Sequence, residues 1–173
     1  MDAQPIVCST CSPKSCQPLP LRILLGIGFL VHGAPKLFSA AEHAGFAGML
    51  QQLGIPAAGF MAWVVGFVEF FGGIALIVGI FTVEAALLLS INMLVAMFKV
   101  HMAQGFNFLN ITGVTASGTP QFGMPGAEVN LLYLAGLIAL FIGGAGPLSV
   151  DEWVLKPESK LRVPWLRHHP ARA

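Results

Sequence analysis

Four stretches of the chain, residues 19–38, 57–80, 83–102 and 129–146, are almost uninterrupted in apolar side chains. Each approaches the roughly 20 residues that an α-helix needs to cross the hydrocarbon core of a bilayer. An isolated strand there would leave backbone groups unpaired, and the stretches are too long for ordinary barrel strands. The pattern predicts an all-α integral membrane protein built as a four-transmembrane-helix bundle. Between the first two stretches the period changes. In "SAAEHAGFAGMLQQLGIP" the residues Phe46, Met49, Leu50 and Leu53 recur at i, i+3, i+4 and i+7. Ser39 and Glu42 form an S-x-x-E capping box, and Gly54 followed by Pro56 supplies a stop. A short amphipathic helix is therefore expected between helices 1 and 2, either on the outer membrane surface or over the bundle as a lid.

The connection "VGIFTVE" has room only for a tight antiparallel hairpin. Thr82 is placed to cap the next helix, and Glu84 sits in its first turn, where the helix dipole favours an anion. The loop "GFNFLNITGVTASGTPQFGMPG" carries no charge and is rich in Gly and Thr. Its chemistry is unreadable from the pattern, although Phe106, Phe108 and Phe122 are suited to a membrane interface.

Composition sharpens the choice of solvent. Hydrophobic residues make up 55% and charged residues 10% of the 173 residues, with a mean hydropathy of +0.77, so no ordinary water-facing surface can be assembled. A formal net charge of +1 and the lack of a basic block exclude an electrostatic nucleic-acid binder. The lipid bilayer is the expected partner. Lys14 precedes the first expected span and Arg22 lies in its first turn; Lys156, Lys160, Arg162, Arg167 and Arg172 follow the last; the loops between hold few cations. The positive-inside rule then places both termini in the cytoplasm, as an even number of spans requires. The chain divides into a flexible cytoplasmic tail (1–18), a membrane domain (19–148) and a second cytoplasmic tail (149–173).

Cys8, Cys11 and Cys16 all lie in "CSTCSPKSC", ahead of the first span. They include one C-x-x-C but have no fourth ligand nearby for a structural zinc site, so a reduced tail is preferred over a metal or dithiol role.

The chemistry lies in ionisable side chains within or beside the spans, where burial in lipid is costly and such groups face the bundle interior or pair. His32 and Lys36 share one face of the first helix, with Pro35 expected to kink or end it and to free the Val31 carbonyl. Lys36 can also snorkel to the interface. Glu69 lies near the middle of the second span between Gly66 and Gly73, on a smooth face suited to a close neighbouring helix, and its expected partner is a base from another helix. Asn92 and Lys99 share a face of the third span, with His101 about 200° around from Lys99, so both basic groups reach one pocket only if the helix breaks near Gly105. Glu128 opens the fourth span. By topology His32, Lys36, His101 and Glu128 belong near the extracytoplasmic end, with Glu69 deeper. Two histidines and two carboxylates at one end of a bundle suit proton exchange or a polar headgroup. No pair has the local spacing of a metal site.

The ordered set "LVHGAPKLF", "LGIP", "VEFFGGIALIVGIFT", "KVHMAQGF", "GAEVNLLYLAGLIAL" and "GPLSVDEW" resembles the DoxX family of small four-helix bacterial membrane proteins, from about Arg22 to Trp153. The resemblance implies a bacterial inner (plasma) membrane protein. It also implies a role beside membrane oxidoreductases, since DoxX-like proteins include the quinone-reducing subunit of thiosulfate:quinone oxidoreductase. Its polar positions correspond here to His32, Lys36, Glu69, His101 and Glu128, while Lys99 has no counterpart. A redox partner protein or a homo-oligomer is expected, because the chain carries no nucleotide loop, haem motif or flavin fingerprint of its own. The leading expectation is a membrane component of a quinone-linked oxidoreductase. His32, Lys36 and Glu69 would bind quinone or a similar carrier, with His101 and Glu128 as a relay to the outer surface. A non-catalytic structural subunit and a small-solute or proton conduit are the alternatives.

Overall fold

The computed structural model describes residues 18–155. The cysteine-bearing tail and the cationic residues from Lys156 onward lie outside the described residues. The elements run α1 (Pro18–Phe38), α2 (Ala40–Gln52), α3 (Ala58–Val78), α4 (Thr82–Ala96), β1 (Ile111–Val114), β2 (Pro120–Phe122), α5 (Ala127–Gly143) and α6 (Val150–Leu155). A π-helical turn, Met97–His101, and a 3-10 turn, Met102–Gln104, carry α4 onward, so that the apolar helical run reaches Gln104.

Three helical runs, Pro18–Phe38, Ala58–Val78 and Thr82–Gln104, are long and apolar enough to cross a membrane, and α5 is a shorter apolar helix of 17 residues. The long helices form because apolar side chains cover every face, which suits a helix bathed in lipid on one side and packed on the other. Inward, Leu25 and Phe29 of α1, Leu76 of α3, Ala85, Ala86 and Leu89 of α4, and Leu137 and Leu140 of α5 make one buried core. Outward, Leu24, Val31, Phe67, Phe71, Leu88, Ile91, Ile138 and Ile142 stand exposed. An apolar exterior as well as an apolar core requires lipid as solvent. Packing runs α1 to α3, α3 to α4, α4 to α5 and α5 back to α1, so the helices close a ring.

The tightest seam is α1 against α3, and glycines make it. A Cβ on Gly33 would lie 2.5 Å from the Phe70 backbone nitrogen and 2.9 Å from the Glu69 Cβ, and one on Gly73 would lie 2.7 Å from the Gly26 carbonyl oxygen. Small residues let helix backbones meet where lipid supplies no hydrophobic drive for association. A Gly33→Ala substitution is accordingly expected to force the helices apart at a cost of about 1–3 kcal/mol. Gly48→Ala on α2, where nothing stands within 4 Å, is expected to be neutral or stabilising. Thermal unfolding of both variants in one detergent checks the contrast.

The amphipathic segment folds as α2. Ser39 is its N-cap, accepting from the Glu42 backbone N–H at 3.4 Å, and Gly54 leaves the helix at φ 72°. Its inward residues His43, Phe46, Met49 and Leu50 face α1 and α3, so α2 packs on the bundle. The α3–α4 connection is the expected tight hairpin, with Gly79 and Phe81 both left-handed at φ 74° and 49°. Thr82 does not cap α4. Its Oγ1 is buried without a partner, and the amides of Phe81 and Thr82 at the start of α4 donate instead to the Asp151 carboxylate at 2.8 and 2.9 Å. The uncharged loop is not featureless either: it holds the β1–β2 hairpin.

Candidate functional site

Because Gly33 and Gly66 bring α1 and α3 together, the side chain of Lys36 can reach Glu69 across the seam. The Lys36 ammonium donates to Glu69 Oε2 and, at 2.9 Å, to the carbonyl of His32. The other carboxylate oxygen, Oε1, accepts from Asn92 Nδ2 of α4 at 2.9 Å. Three helices therefore meet on one carboxylate. The Lys36 and Glu69 side chains are 15% and 8% exposed. A charge pair so enclosed is held only if its remaining hydrogen-bonding positions are also met, and here both carboxylate oxygens are. Pro35 does not end the helix, which continues to Phe38.

A second layer ties α2 to this centre. The Lys36 ammonium lies 4.8 Å from the centre of the Phe46 ring, a cation–π distance. His43 donates from Nδ1 to the Lys36 carbonyl at 2.9 Å, and its ring lies against Trp63 with centroids 4.2 Å apart. His43 was not legible as a site residue, because its partners are a backbone carbonyl and a ring on two other helices.

Between α1 and α2 lies a groove of about 330 Å³ lined by Val31, His32, Pro35, Lys36, Glu42, Gly45, Phe46 and Met49. His32 is exposed on its wall, and the base from another helix that Glu69 takes is Lys36. Of the ammonium's three donors, two are engaged by Glu69 and His32, which leaves one. The groove thus offers an imidazole, one ammonium N–H and a carboxylate set in apolar walls.

His101 and Glu128 take up other work. His101 Nδ1 donates to the Pro125 carbonyl at 2.7 Å, and Glu128 Oε2 accepts from the Phe108 amide at 3.0 Å. Both fasten the root of the β1–β2 loop, and neither bonds to Lys36 or Glu69. The π-helical turn does break the register around Lys99 and His101, yet Lys99 stays exposed while His101 turns to the loop. Glu84 is exposed in the first turn of α4.

The opposite end of the bundle holds a second polar knot that the charge pattern does not reveal. Arg22, counted in the sequence as an orienting cation, is 1% exposed. Its Nε donates to the Leu76 carbonyl at 2.9 Å, and its terminal nitrogens donate to the carbonyls of Ile77, Ala145 and Leu148. Those of Leu76 and Ile77 belong to the last turn of α3, where a helix leaves acceptors without partners and favours a cation. Asp151, whose own amide donates to Gly79 at 2.8 Å, completes the knot by capping α4.

A family profile described as DoxX matches residues 17–102. The chain is 34% identical over 139 residues to an uncharacterized membrane protein of Mycobacterium tuberculosis, covering 79% of this chain and 80% of that one. It is 31% identical over 137 residues to an uncharacterized protein of Haemophilus influenzae, covering 79% and 89%. It is 28% identical over 138 residues to the putative oxidoreductase CatD of Bacillus subtilis, covering 80% and 87%. No solved structure matches the chain.

Proposed function

The chain belongs to the DoxX family, and from that premise we propose that it is a membrane component of a redox system that takes the headgroup of a quinone, or of a similar lipophilic carrier, into the groove between α1 and α2. In this reading all four apolar helices cross a bacterial inner membrane with both termini in the cytoplasm. At about 26 Å, α5 is slightly short of a typical hydrocarbon core of about 30 Å, a mismatch that a bilayer absorbs at modest cost.

The observation that carries the proposal is the groove's lining. Val31, Pro35, Phe46 and Met49 give a ring an apolar slot, while His32 and the free Lys36 N–H can donate to a carbonyl oxygen. A neutral carbonyl headgroup fits better than an anion, since the Lys36 charge is already matched by Glu69. When bound, the carrier would supply two-electron redox chemistry. The chain's residues bind and orient it, and Glu69 with Asn92 fixes the ammonium at the groove's inner wall. A relative named as an oxidoreductase supports a redox setting.

Titration of the purified protein with a short-chain benzoquinone tests the reading. His32→Ala is expected to weaken binding by about tenfold, the loss of one hydrogen bond of about 1.4 kcal/mol. Glu69→Gln is expected to weaken it as well, by freeing Lys36 to move. If the parent binds no quinone, or both variants bind as the parent does, a purely structural membrane subunit becomes the better account.

A further inference from the structure

The two-stranded hairpin carries a register shift with a specific consequence. Ile111 pairs with Phe122, Gly113 with Gln121, and Val114 with Pro120, with a bulge between Ile111 and Gly113. Side chains alternate along a strand, so residues three apart normally point to opposite faces. The bulge inserts one residue and cancels that difference. Ile111 and Val114 come to the same face as their partners Phe122 and Pro120, while Gly113 and Gln121 take the other. The paired positions on one face are thereby all apolar, while the other face carries Gly113 and Gln121.

That apolar face is open. Ile111 is 57% exposed, and Val114 and Phe122 are each 64% exposed. From Met102 to Ala127 the sequence contains no charged residue. The hairpin is also rigidly rooted: Gly105 and Asn107 carbonyls accept from the amides of Ala127 and Gly126 at 2.9 and 2.8 Å, and Asn110 donates to the Met124 carbonyl at 3.0 Å. Glu128 and His101 add the bonds already described, so the orientation of the hairpin is set by the ends of the helices on either side.

We propose that the β1–β2 hairpin is a membrane-interface anchor, its Ile111–Val114–Pro120–Phe122 face laid on the surface of the same bilayer that surrounds the helices. Ahead of the hairpin in sequence, Phe98 and Met102 at the end of the α4 run are exposed as well. Absence of charge removes the main cost of approaching hydrocarbon. Depth is limited from the other side: the outer edges of a two-stranded sheet leave amides and carbonyls unpaired, which hydrocarbon does not tolerate. The hairpin therefore stays in the headgroup layer, with Gln121 toward water. With no cation in the segment, its attachment does not require anionic lipid.

Spin labels on the full chain, with Cys8, Cys11 and Cys16 replaced by serine, test this in phosphatidylcholine vesicles. Labels at Ile111→Cys, Val114→Cys and Phe122→Cys are expected to be relaxed severalfold more by lipid-soluble oxygen, relative to a water-soluble nickel chelate, than a label at Gln121→Cys. Any one of the three apolar positions suffices, so failure of a single variant to fold leaves the comparison intact. Equal accessibility at both faces would place the hairpin in water and overturn the proposal. Shielding of the apolar face from both reagents would mean that protein covers it, and would overturn the proposal equally. Adding phosphatidylglycerol is expected to leave the pattern unchanged.

Discussion

An Arg22→Met variant is expected to unfold at a far lower temperature in detergent than the parent. The guanidinium serves carbonyls of Leu76, Ile77, Ala145 and Leu148, which come from the end of α3 and the segment after α5. Methionine matches much of the volume but donates nothing. Each acceptor left dry costs roughly 1–3 kcal/mol, and partial relaxation or water entry keeps the sum below full additivity, so a loss of several kcal/mol is expected. Arg22→Lys keeps a cation at the negative end of the α3 dipole. A single ammonium lacks the planar fork that reaches two chain segments at once, so the lysine variant should recover only part of the loss. Gly79 adds steric precision, since a Cβ there would lie 2.6 Å from an Arg22 terminal nitrogen. Amide exchange should rise first around Gly79 to Thr82, where Asp151 and Arg22 join the helix ends. A variant that melted with the parent would show that the knot is dispensable.

Arg22 also marks the boundary of what the sequence reveals. The apolar runs, the Ser39 capping box, the Gly54 stop and the smooth Gly66–Gly73 face are local features, and each is visible because its physics acts within a few residues. Arg22 bonds partners 54 to 126 residues away, and Asp151 caps a helix 69 and 70 residues before it. Nothing in either neighbourhood signals this. Helix periodicity placed Asn92 with Lys99, and the structure gives Asn92 to Glu69 while Lys99 faces outward; a shared helix face does not say which neighbour fills it. Topology grouped His101 and Glu128 with His32 and Lys36, yet their bonds go to backbone at the root of a hairpin that its bulge hides from a period-two reading. Lys36 and Glu69 were the legible pair, since each is costly alone in lipid and has a glycine-lined path to the other.

That pair yields a prediction in which stability and function separate. Lys36→Met alone leaves the Glu69 carboxylate enclosed with only Asn92 to support it, and breaking a buried pair from one side costs about 3–5 kcal/mol, less whatever protonation of Glu69 relieves. Adding Glu69→Leu removes the stranded carboxylate but strands the Asn92 amide, at about 1–3 kcal/mol. Adding Asn92→Leu removes that too. The triple variant is expected to match or exceed the parent in thermal stability, because apolar packing often replaces a buried polar triad without loss. Stepwise recovery from the single to the triple variant, followed by thermal unfolding in one detergent, is the measurement. A Lys36→Met protein as stable as the parent would mean that the pair is too wet or too loose to matter. If the triple variant is stable, the charges are not there to hold the bundle together. Its quinone titration then becomes decisive: lost binding in a well-folded protein would assign Lys36, Glu69 and Asn92 to the ligand, and retained binding would leave the groove's recognition to His32 and its apolar walls.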